Sequence, residues 1–340
     1  MLSGKPKKLR SKLATQKSTL KTETTAARSL RTVGALIREG ARRFLRARLA
    51  FGHGSVSATE EAAWLTLHAL RLPLNAPSAV MSRVIAPAAA ERVLRLFEQR
   101  IRERKPAAYL TREAWLGDLP FYVDERVIVP RSHIAPLLRD GLAPWVAKRH
   151  NVRSVLDLCT GSGCLAILSA HAFPNARIDA ADISASALAV ARRNLRDHRL
   201  SRRIRLVKSD LYSALHGKRY DLILCNPPYV TTSSMRRLPA EYRHEPGIAL
   251  AGGADGLDVV RRIVLESSAH LRPHGMLVVE VGRGRRRLER MFSKIPFVWA
   301  ETDAGAAVFL IEREGLPAQE TLSSSDARSR RVSCGASSRK

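Results

Sequence analysis

The stretch Asp221-Leu222-Ile223-Leu224-Cys225-Asn226-Pro227-Pro228-Tyr229 joins an apolar run directly to an Asn-Pro-Pro-Tyr motif. The apolar run predicts a buried strand of a parallel sheet. Two successive prolines can neither continue a helix nor donate to a ladder, so the chain must leave the sheet here. The motif therefore predicts a rigid loop at the carboxyl end of a strand, where open α/β sheets bind ligands. Asn-Pro and Pro-Pro pairs also form ordinary turns, so the motif alone does not establish a site.

A second motif lies upstream, where residues 155–167 have the pattern of a strand, a glycine turn and the start of a helix. The glycines allow a backbone to approach a ligand closely and to take positive φ. The following helix offers free N–H groups and the positive end of its dipole. This segment contributes the first candidate cofactor-binding residues, namely Asp157, Cys159, Thr160, Gly161, Ser162 and Gly163.

Two more candidates follow the next predicted strands. The strand over 177–181 ends in Asp182, 19 residues after Gly163, where a carboxylate can accept hydrogen bonds from both hydroxyls of a ribose. The strand over 204–207 is followed by Asp210 and Leu211, and Asp210 could reach an adenine amino group.

The glycine turn by itself is ambiguous. Gly161, Gly163 and Ala166 together with Asp182 also satisfy the dinucleotide fingerprint, so a nicotinamide or flavin enzyme and an S-adenosylmethionine enzyme both remain open. Asp157 could contact the charged amino group of methionine, and Cys159-Thr160 leaves less room for a pyrophosphate than glycine would. The Asn-Pro-Pro-Tyr motif on a neighbouring strand then favours methyl transfer.

The composition indicates an ordinary globular protein. The 340 residues suggest two domains, and 45% of them are hydrophobic and 26% charged. No run of 18 apolar residues occurs, so we expect no membrane partner. Cysteines at 159, 164, 225 and 334 have neither metal-ligand spacing nor a disulfide pattern. They predict free thiols in the cytoplasm and no metal site.

The net charge of +27 is large, and basic residues are concentrated near the amino end. Such a balance favours a polyanionic partner and raises non-specific affinity and association rate. Contact with ribosomal RNA through a basic surface is one interpretation, and arginines on solvated faces are the other. The cluster Arg283, Arg285, Arg286, Arg287 and Arg290 predicts a basic helix that suits either.

The chain divides by composition into five segments. Residues 1–28 are basic and rich in Ser and Thr, which predicts a disordered arm, although organelle transit peptides have a similar composition. Residues 29–112 show helical apolar spacing and predict a helical substrate-recognition domain. Residues 113–132 predict a β-hairpin linker, residues 133–314 an α/β domain, and residues 315–340 a disordered tail.

More detailed expectations concern the elements around the site. Residues 114–116, 121–123 and 126–129 should form a hairpin with a turn at Gly117-Asp118, and a helix should run from about His133 to Lys148. Further on, the apolar pattern predicts a helix, a fifth parallel strand and a terminal antiparallel pair, over 257–271, 276–281, 298–301 and 306–311.

Taken together, these residues resemble the glutamine methyltransferases of the release-factor and ribosomal-protein type. The resemblance covers about residues 29–314 and is carried by the motifs at 51–54, 122–126, 129–132, 156–164, 226–229, 242–246, 249–251 and 255–257. It implies a Rossmann-like class I methyltransferase fold with a seven-stranded mixed sheet, and S-adenosylmethionine as cofactor. Cys159 and Cys164 favour the ribosomal-protein branch, whose substrate is a glutamine of the third large-subunit ribosomal protein. His133 and Thr111-Arg112 depart from the family pattern.

The resemblance also implies roles for the Asn-Pro-Pro-Tyr loop. The Asn226 side-chain oxygen and the Pro227 carbonyl would accept the two N–H bonds of a glutamine amide, and Tyr229 would pack its ring on that amide. These three residues are the candidate catalytic residues, and Asn226 would also border the cofactor. The remaining candidate substrate-binding residues are Pro228, Arg131 and Glu245.

Three alternative functions remain open in the sequence. A release-factor glutamine methyltransferase would share the chemistry. An adenine-amine methyltransferase acting on nucleic acid could use the same loop, but it usually carries a target-recognition domain unlike the helical segment before Arg131. A non-catalytic ribosome-assembly factor is opposed by the intact Asn226 and Tyr229.

Overall fold

The computed structural model describes residues 32–300 and 307–318. The arm predicted for 1–28 and the tail after residue 318 lie outside the described residues. The chain forms two compact units with their boundary between Arg112 and Glu113. No helix within the described ranges is long and apolar enough to cross a membrane.

The unit before the boundary is helical. Its helices are α1 (Val33–Arg46), α2 (Ala58–Ala69), α3 (Pro87–Glu103) and α4 (Ala107–Thr111), with a 3-10 turn at Ser78–Ser82. The rings of Phe44 and Phe97 meet edge to face at 5.2 Å between α1 and α3. Arg100 and Glu61 form a buried ion pair of 2.6 Å, which packs α3 against α2. The helical spacing of the sequence is confirmed here.

The second unit contains a short hairpin and a seven-stranded mixed sheet, as predicted. The hairpin pairs β1 (Ala114–Leu116) with β2 (Leu119–Phe121). The sheet strands are β3 (Ser154–Leu158), β4 (Arg177–Asp182), β5 (Ile204–Lys208), β6 (Tyr220–Cys225), β7 (Leu271–Glu280), β8 (Val298–Ala300) and β9 (Val308–Glu312).

The strand order β5-β4-β3-β6-β7-β9-β8 explains where a ligand can bind. The strands β3 to β7 run parallel, and β9 is antiparallel to both β7 and β8. The order changes direction between β3 and β6, and Leu158 lies beside Cys225 at their carboxyl ends. Such a switch point leaves a crevice between the loops that follow the two strands.

Helices cover both faces of the sheet. They are α5 (Ile134–Arg139), α6 (Cys164–Ala172), α7 (Ala185–Asp197), α9 (Asp258–His270) and α10 (Arg285–Met291), whereas the short α8 (Thr232–Met235) follows β6 and has no buried residue. Alternate strand residues supply two apolar clusters: Val155 and Leu222 belong to one, and Leu156 and Ile223 to the other. Burial on both faces is the physical reason for the uninterrupted apolar run of β6.

Two predicted elements differ in the structure. The second half of the hairpin, predicted over 121–123 and 126–129, is instead the strand Leu119–Phe121, because the Asp124 carboxylate accepts a hydrogen bond from the Arg126 backbone N–H and the Glu245 carboxylate accepts one from that of Val129. The helix predicted to reach Lys148 ends at Arg139. Gly141 and Leu142 there have φ values of 65° and 60°, which no α-helix accommodates.

Candidate active site

Two cavities open at the carboxyl ends of the parallel strands and share part of their walls. The first, of about 270 Å³, is bordered by the loops after β3, β4, β5 and β6. The second, of about 210 Å³, lies along the Asn-Pro-Pro-Tyr loop. Ile128, Asn226 and Ala249 line both cavities. A group that passes from a ligand in one cavity to a ligand in the other must therefore pass close to Asn226.

Six of the ten predicted cofactor-binding residues line the first cavity: Cys159, Gly161, Asp182, Asp210, Leu211 and Asn226. The other four, Asp157, Thr160, Ser162 and Gly163, are not part of its wall. They lie in the strand end and turn that support it.

Asp157 is buried behind the glycine turn and shapes it. Its Oδ2 accepts hydrogen bonds from the Thr160 hydroxyl and from the Ala166 backbone N–H. Burial raises the pKa of Asp157 to about 7, although these two hydrogen bonds lower it. Its Oδ1 has no hydrogen-bond partner among the described residues. A cationic ligand group near the turn would stabilise this carboxylate in its charged form.

Asp182 is held at the end of β4 with its carboxylate on the cavity wall. Oδ2 accepts from the Gly161 N–H at 2.8 Å, and Oδ1 accepts from the Ser184 N–H at 2.9 Å. Each oxygen keeps lone-pair capacity for a further donor. Burial raises the pKa of Asp182, against the effect of the two backbone hydrogen bonds. This arrangement fits a ribose, whose two hydroxyls are donors.

The far side of the first cavity combines a charged pair with apolar walls. Asp210 forms an exposed ion pair of 3.0 Å with Arg262. Ile183 and Ile248 also line the cavity, with 48% and 60% of their surface exposed. Apolar side chains at the edge of a cleft suit a planar ring such as adenine. The carboxylates and apolar side chains of this cavity together fit S-adenosylmethionine.

Asn226 has a fixed orientation. Its Nδ2 donates to the carbonyl oxygen of Arg131 at 3.0 Å. Because a carbonyl can only accept, the amide nitrogen must face Arg131, and Oδ1 remains as an acceptor. The residues after Asn226 face different cavities. Pro227 and Tyr229 line the second cavity, whereas Pro228 lines the first. Pro228, predicted to bind substrate, thus faces the cofactor side, because successive residues of an extended loop point to opposite sides.

Tyr229 is held in place through its hydroxyl and through the side of its ring that lies against Gly282. Its hydroxyl donates to Glu280 Oε1 at 2.9 Å. Glu280 is buried at the end of β7, and its Oε2 accepts from the Ser132 hydroxyl and the His133 N–H, both at 2.8 Å. The ring lies on Gly282, where an added Cβ would stand 2.8 Å from a ring carbon. Burial, together with the neighbouring Glu280, raises the pKa of Tyr229.

Arg131 and Glu245 bind each other. The guanidinium donates to both carboxylate oxygens, with 2.6 Å between Nη2 and Oε2, and the Val129 N–H adds a third hydrogen bond to the carboxylate. Burial lowers the pKa of Arg131, but the hydrogen bonds that it donates to Glu245, together with the charge of Glu245 and the nearby tyrosines, leave the pKa raised. Arg131 lines the second cavity; Glu245 does not. The pair fixes the carbonyl that holds Asn226.

Several residues that line these cavities were not predicted from the sequence. In the first cavity they include Arg126, Val127, Ile183, Ile248 and Arg262. Ile183 directly follows the strand-end Asp182, which is a signal that could have identified it. The others come from irregular segments or from a helix face, where no periodic pattern marks a ligand-facing residue.

Comparison with known proteins gives a consistent result. Residues 142–240 match the family model of the methyltransferase small domain. Among solved structures, the 16S rRNA N2 G1207 methyltransferase of T. thermophilus is similar with a TM-score of 0.43 and 20% identity, covering 59% of this chain and 49% of that one.

The chain aligns with curated relatives over almost the whole length of each relative. The ribosomal protein uL3 glutamine methyltransferase of Burkholderia pseudomallei is 53% identical over 87% of this chain and 99% of the relative. The protein of that name from Neisseria meningitidis serogroup B is 50% identical over 87% and 97%, and that from Xylella fastidiosa strain 9a5c is 45% identical over 84% and 92%. The chain therefore belongs to the family of ribosomal protein uL3 glutamine methyltransferases.

Proposed function

We propose that this chain methylates the side-chain amide nitrogen of a glutamine in ribosomal protein uL3, with S-adenosylmethionine as cofactor. The names of the relatives support the substrate and the reaction. The observation that carries the proposal is the position of Asn226, which lines both cavities and whose Oδ1 accepts no hydrogen bond from the described residues. When bound, the cofactor supplies an electrophilic methyl group on its sulfonium.

A glutamine amide is a poor nucleophile because its nitrogen lone pair is delocalised into the carbonyl. In the second cavity, Asn226 Oδ1 and the Pro227 carbonyl oxygen accept the two N–H bonds of this amide and aim its nitrogen towards the first cavity. Positive charge develops on the nitrogen during transfer, so both acceptors bind the transition state more strongly than the ground state. Neither acceptor needs to change its protonation state.

The surrounding residues keep these groups in place. Tyr229, held by Glu280 and Gly282, forms a flat surface for the planar amide. The Arg131–Glu245 pair holds Asn226 through the Arg131 carbonyl. Positioning of this kind can lower a barrier by about 7–11 kcal/mol when reactants lie in near-attack geometry. Catalysis here rests mainly on preorganisation.

The methylated nitrogen must lose a proton. The described wall of the second cavity contains no carboxylate and no imidazole, and the raised pKa of Tyr229 keeps its hydroxyl protonated, so it cannot accept the proton. The nitrogen becomes strongly acidic once it is alkylated, so a water molecule can take the proton. We propose that no side chain acts as general base.

We further propose that the substrate is recognised near ribosomal RNA. Arg283, Arg286 and Arg287 are exposed and form no ion pair with a carboxylate of the described residues. Arginines of this kind suit phosphates. The helical unit before Glu113 is the proposed substrate-recognition domain. Three free cysteines among the described residues suit a reducing compartment such as the cytoplasm.

The test is a methylation assay with purified uL3, release factor or DNA and methyl-labelled S-adenosylmethionine. We expect label on one glutamine of uL3, located by mass spectrometry, and its loss when that glutamine is replaced by asparagine. Asn226→Ala should slow labelling by about 10²–10³, whereas Asn151→Ala, at an exposed position away from both cavities, should not slow it. Label on release factor alone or on adenine alone would contradict the proposal.

A further inference from the structure

Arg126 is a charged residue in the wall of the first cavity. It lies in the irregular segment after β2, two residues before Ile128, which lines both cavities. Arg126, Val127 and Ile128 all line the first cavity, and Ile128 shares with Asn226 the wall between the two cavities. The reacting methyl group, and hence the sulfur, must lie near this shared wall.

The guanidinium of Arg126 is held by a buried acid. Nε donates to Asp124 Oδ1 at 2.8 Å, and Nη2 donates to Asp124 Oδ2 at 2.6 Å. Asp124 is only 5% exposed and also accepts from the Tyr122 hydroxyl at 2.8 Å. Two of the three guanidinium nitrogens are thus fixed in a planar fork, while the Arg126 side chain keeps 45% of its surface exposed.

The third nitrogen, Nη1, lies outside this fork, since the hydrogen bonds to Asp124 use Nε and Nη2. An arginine fixed by a carboxylate through one edge still presents donors along another edge, and these suit a second carboxylate. S-adenosylmethionine carries one carboxylate, on its amino-acid end, next to the sulfur-bearing chain. The ribose and adenine end carries none.

The other charged groups of the two cavities are already engaged. Arg262 pairs with Asp210 at 3.0 Å and with Glu266 at 3.7 Å, on the side assigned to adenine. The fork of Arg131 is occupied by Glu245, in the second cavity. Asp182 and Asp210 would repel an anion. Within the described walls, Arg126 is the cation that remains for a carboxylate.

We propose that Arg126 binds the α-carboxylate of the cofactor's amino-acid end and that Asp124 is the positioning residue that sets its geometry. This contact anchors the cofactor on the side of the sulfur away from the ribose. With Asp182 on the ribose, it fixes the sulfonium between two anchors beside Asn226. The proposal concerns cofactor binding alone, so its failure would leave the proposed methylation of uL3 intact.

The experiment compares two ligands that differ only by the amino-acid end. Calorimetry would measure the affinity of S-adenosylhomocysteine, which has the carboxylate, and of 5′-methylthioadenosine, which lacks the whole amino-acid moiety. Arg126→Gln should weaken S-adenosylhomocysteine on the order of 10- to 100-fold, as for loss of a charge-assisted hydrogen bond. It should leave 5′-methylthioadenosine within about twofold, since the lost contact is absent from that ligand.

Two further variants sharpen the result. Arg126→Lys should give an intermediate affinity for S-adenosylhomocysteine, because it keeps the charge but not the fork. Arg262→Gln, in the same cavity, should change the affinity for both ligands by a similar factor. The proposal is overturned if Arg126→Gln weakens both ligands equally, which indicates general damage to the cavity. It is also overturned if the affinity for S-adenosylhomocysteine does not change.

Discussion

The side-chain nitrogen of Asn226 donates a 3.0 Å hydrogen bond to the carbonyl oxygen of Arg131, 95 residues earlier in the chain. This contact decides which atom of the amide is offered to the substrate. It also joins the irregular segment before α5 to the loop after β6, so both segments contribute to one acceptor.

Replacing Asn226 by alanine should lower kcat by about 10²–10³, as when one preorganised hydrogen-bonding group is removed from an active site. The affinity for S-adenosylhomocysteine should change little, because Cys159, Gly161 and Asp182 still line the cofactor cavity. Single-turnover kinetics and calorimetry measure the two quantities. Near-normal turnover of Asn226→Ala would show that Oδ1 is not the acceptor.

Glu245→Gln should destabilise the protein by about 3–5 kcal/mol, since it removes one charge from a buried, bidentate ion pair. Turnover of the folded variant should fall, because Arg131 then holds Asn226 less firmly, while cofactor affinity should stay unchanged. Urea unfolding measures the first effect. The matched control is Asp197→Asn, which removes an exposed partner of Arg193 and should cost less than about 1 kcal/mol. Equal effects of both variants would contradict the positioning role.

Gly282→Ala should disturb Tyr229. An added Cβ would lie 2.8 Å and 2.9 Å from two ring carbons, and the residue has a φ of +50°. We expect a larger fall in kcat than in cofactor affinity, because the ring borders the second cavity and not the first. The control is Gly117→Ala in the hairpin turn, with a φ of +60° and no atom within 4 Å.

The Gly117 variant has a similar backbone cost of roughly 1–2 kcal/mol without a steric clash. It should therefore lose stability but keep its kcat. If both variants lowered kcat to the same extent, backbone strain rather than displacement of Tyr229 would explain the effect.

The carboxyl of Asp157 predicts a pH dependence of stability. Its pKa is raised from 3.8 to about 7 in the folded protein, so between these values the folded state binds more protons than the unfolded state. Stability must then fall as pH rises across this window. Asp157→Asn should remove this component, so its stability relative to the unchanged protein should increase from pH 4 to pH 7. Thermal unfolding at a series of pH values checks the sign, and a constant difference would disprove the assignment.

The central part of the fold could be predicted from the sequence because its signals are local. The apolar run of β6 and the prolines after it define a strand and its end within nine residues. The position of Asp182 at the carboxyl end of β4 could be predicted because it directly follows the strand that comes after the glycine turn. The seven-stranded mixed sheet and the family are both confirmed.

The strand and helix predictions that failed were overruled by side-chain hydrogen bonds and by a backbone turn at Gly141 and Leu142, which the apolar pattern does not reveal. The alternation in Arg126 to Val129 is typical of a strand, but side chains of Asp124 and Glu245 take the backbone donors that a ladder would use. The pairing of Glu245 with Arg131 spans 114 residues. No local pattern in the sequence indicates that Glu245 pairs with Arg131.

The wall shared by the two cavities has a consequence for biosynthesis. Ile128, Asn226 and Ala249 come from three separate segments, and the Tyr229 hydroxyl depends on Glu280, 51 residues further on. Such long-range closure is the slow part of folding. The nascent enzyme therefore has no complete amide-binding site until β7 has emerged from the ribosome that is making it. The first cavity also takes wall residues from late in the chain, up to Arg262, so neither ligand site is complete until most of the second unit has been synthesised.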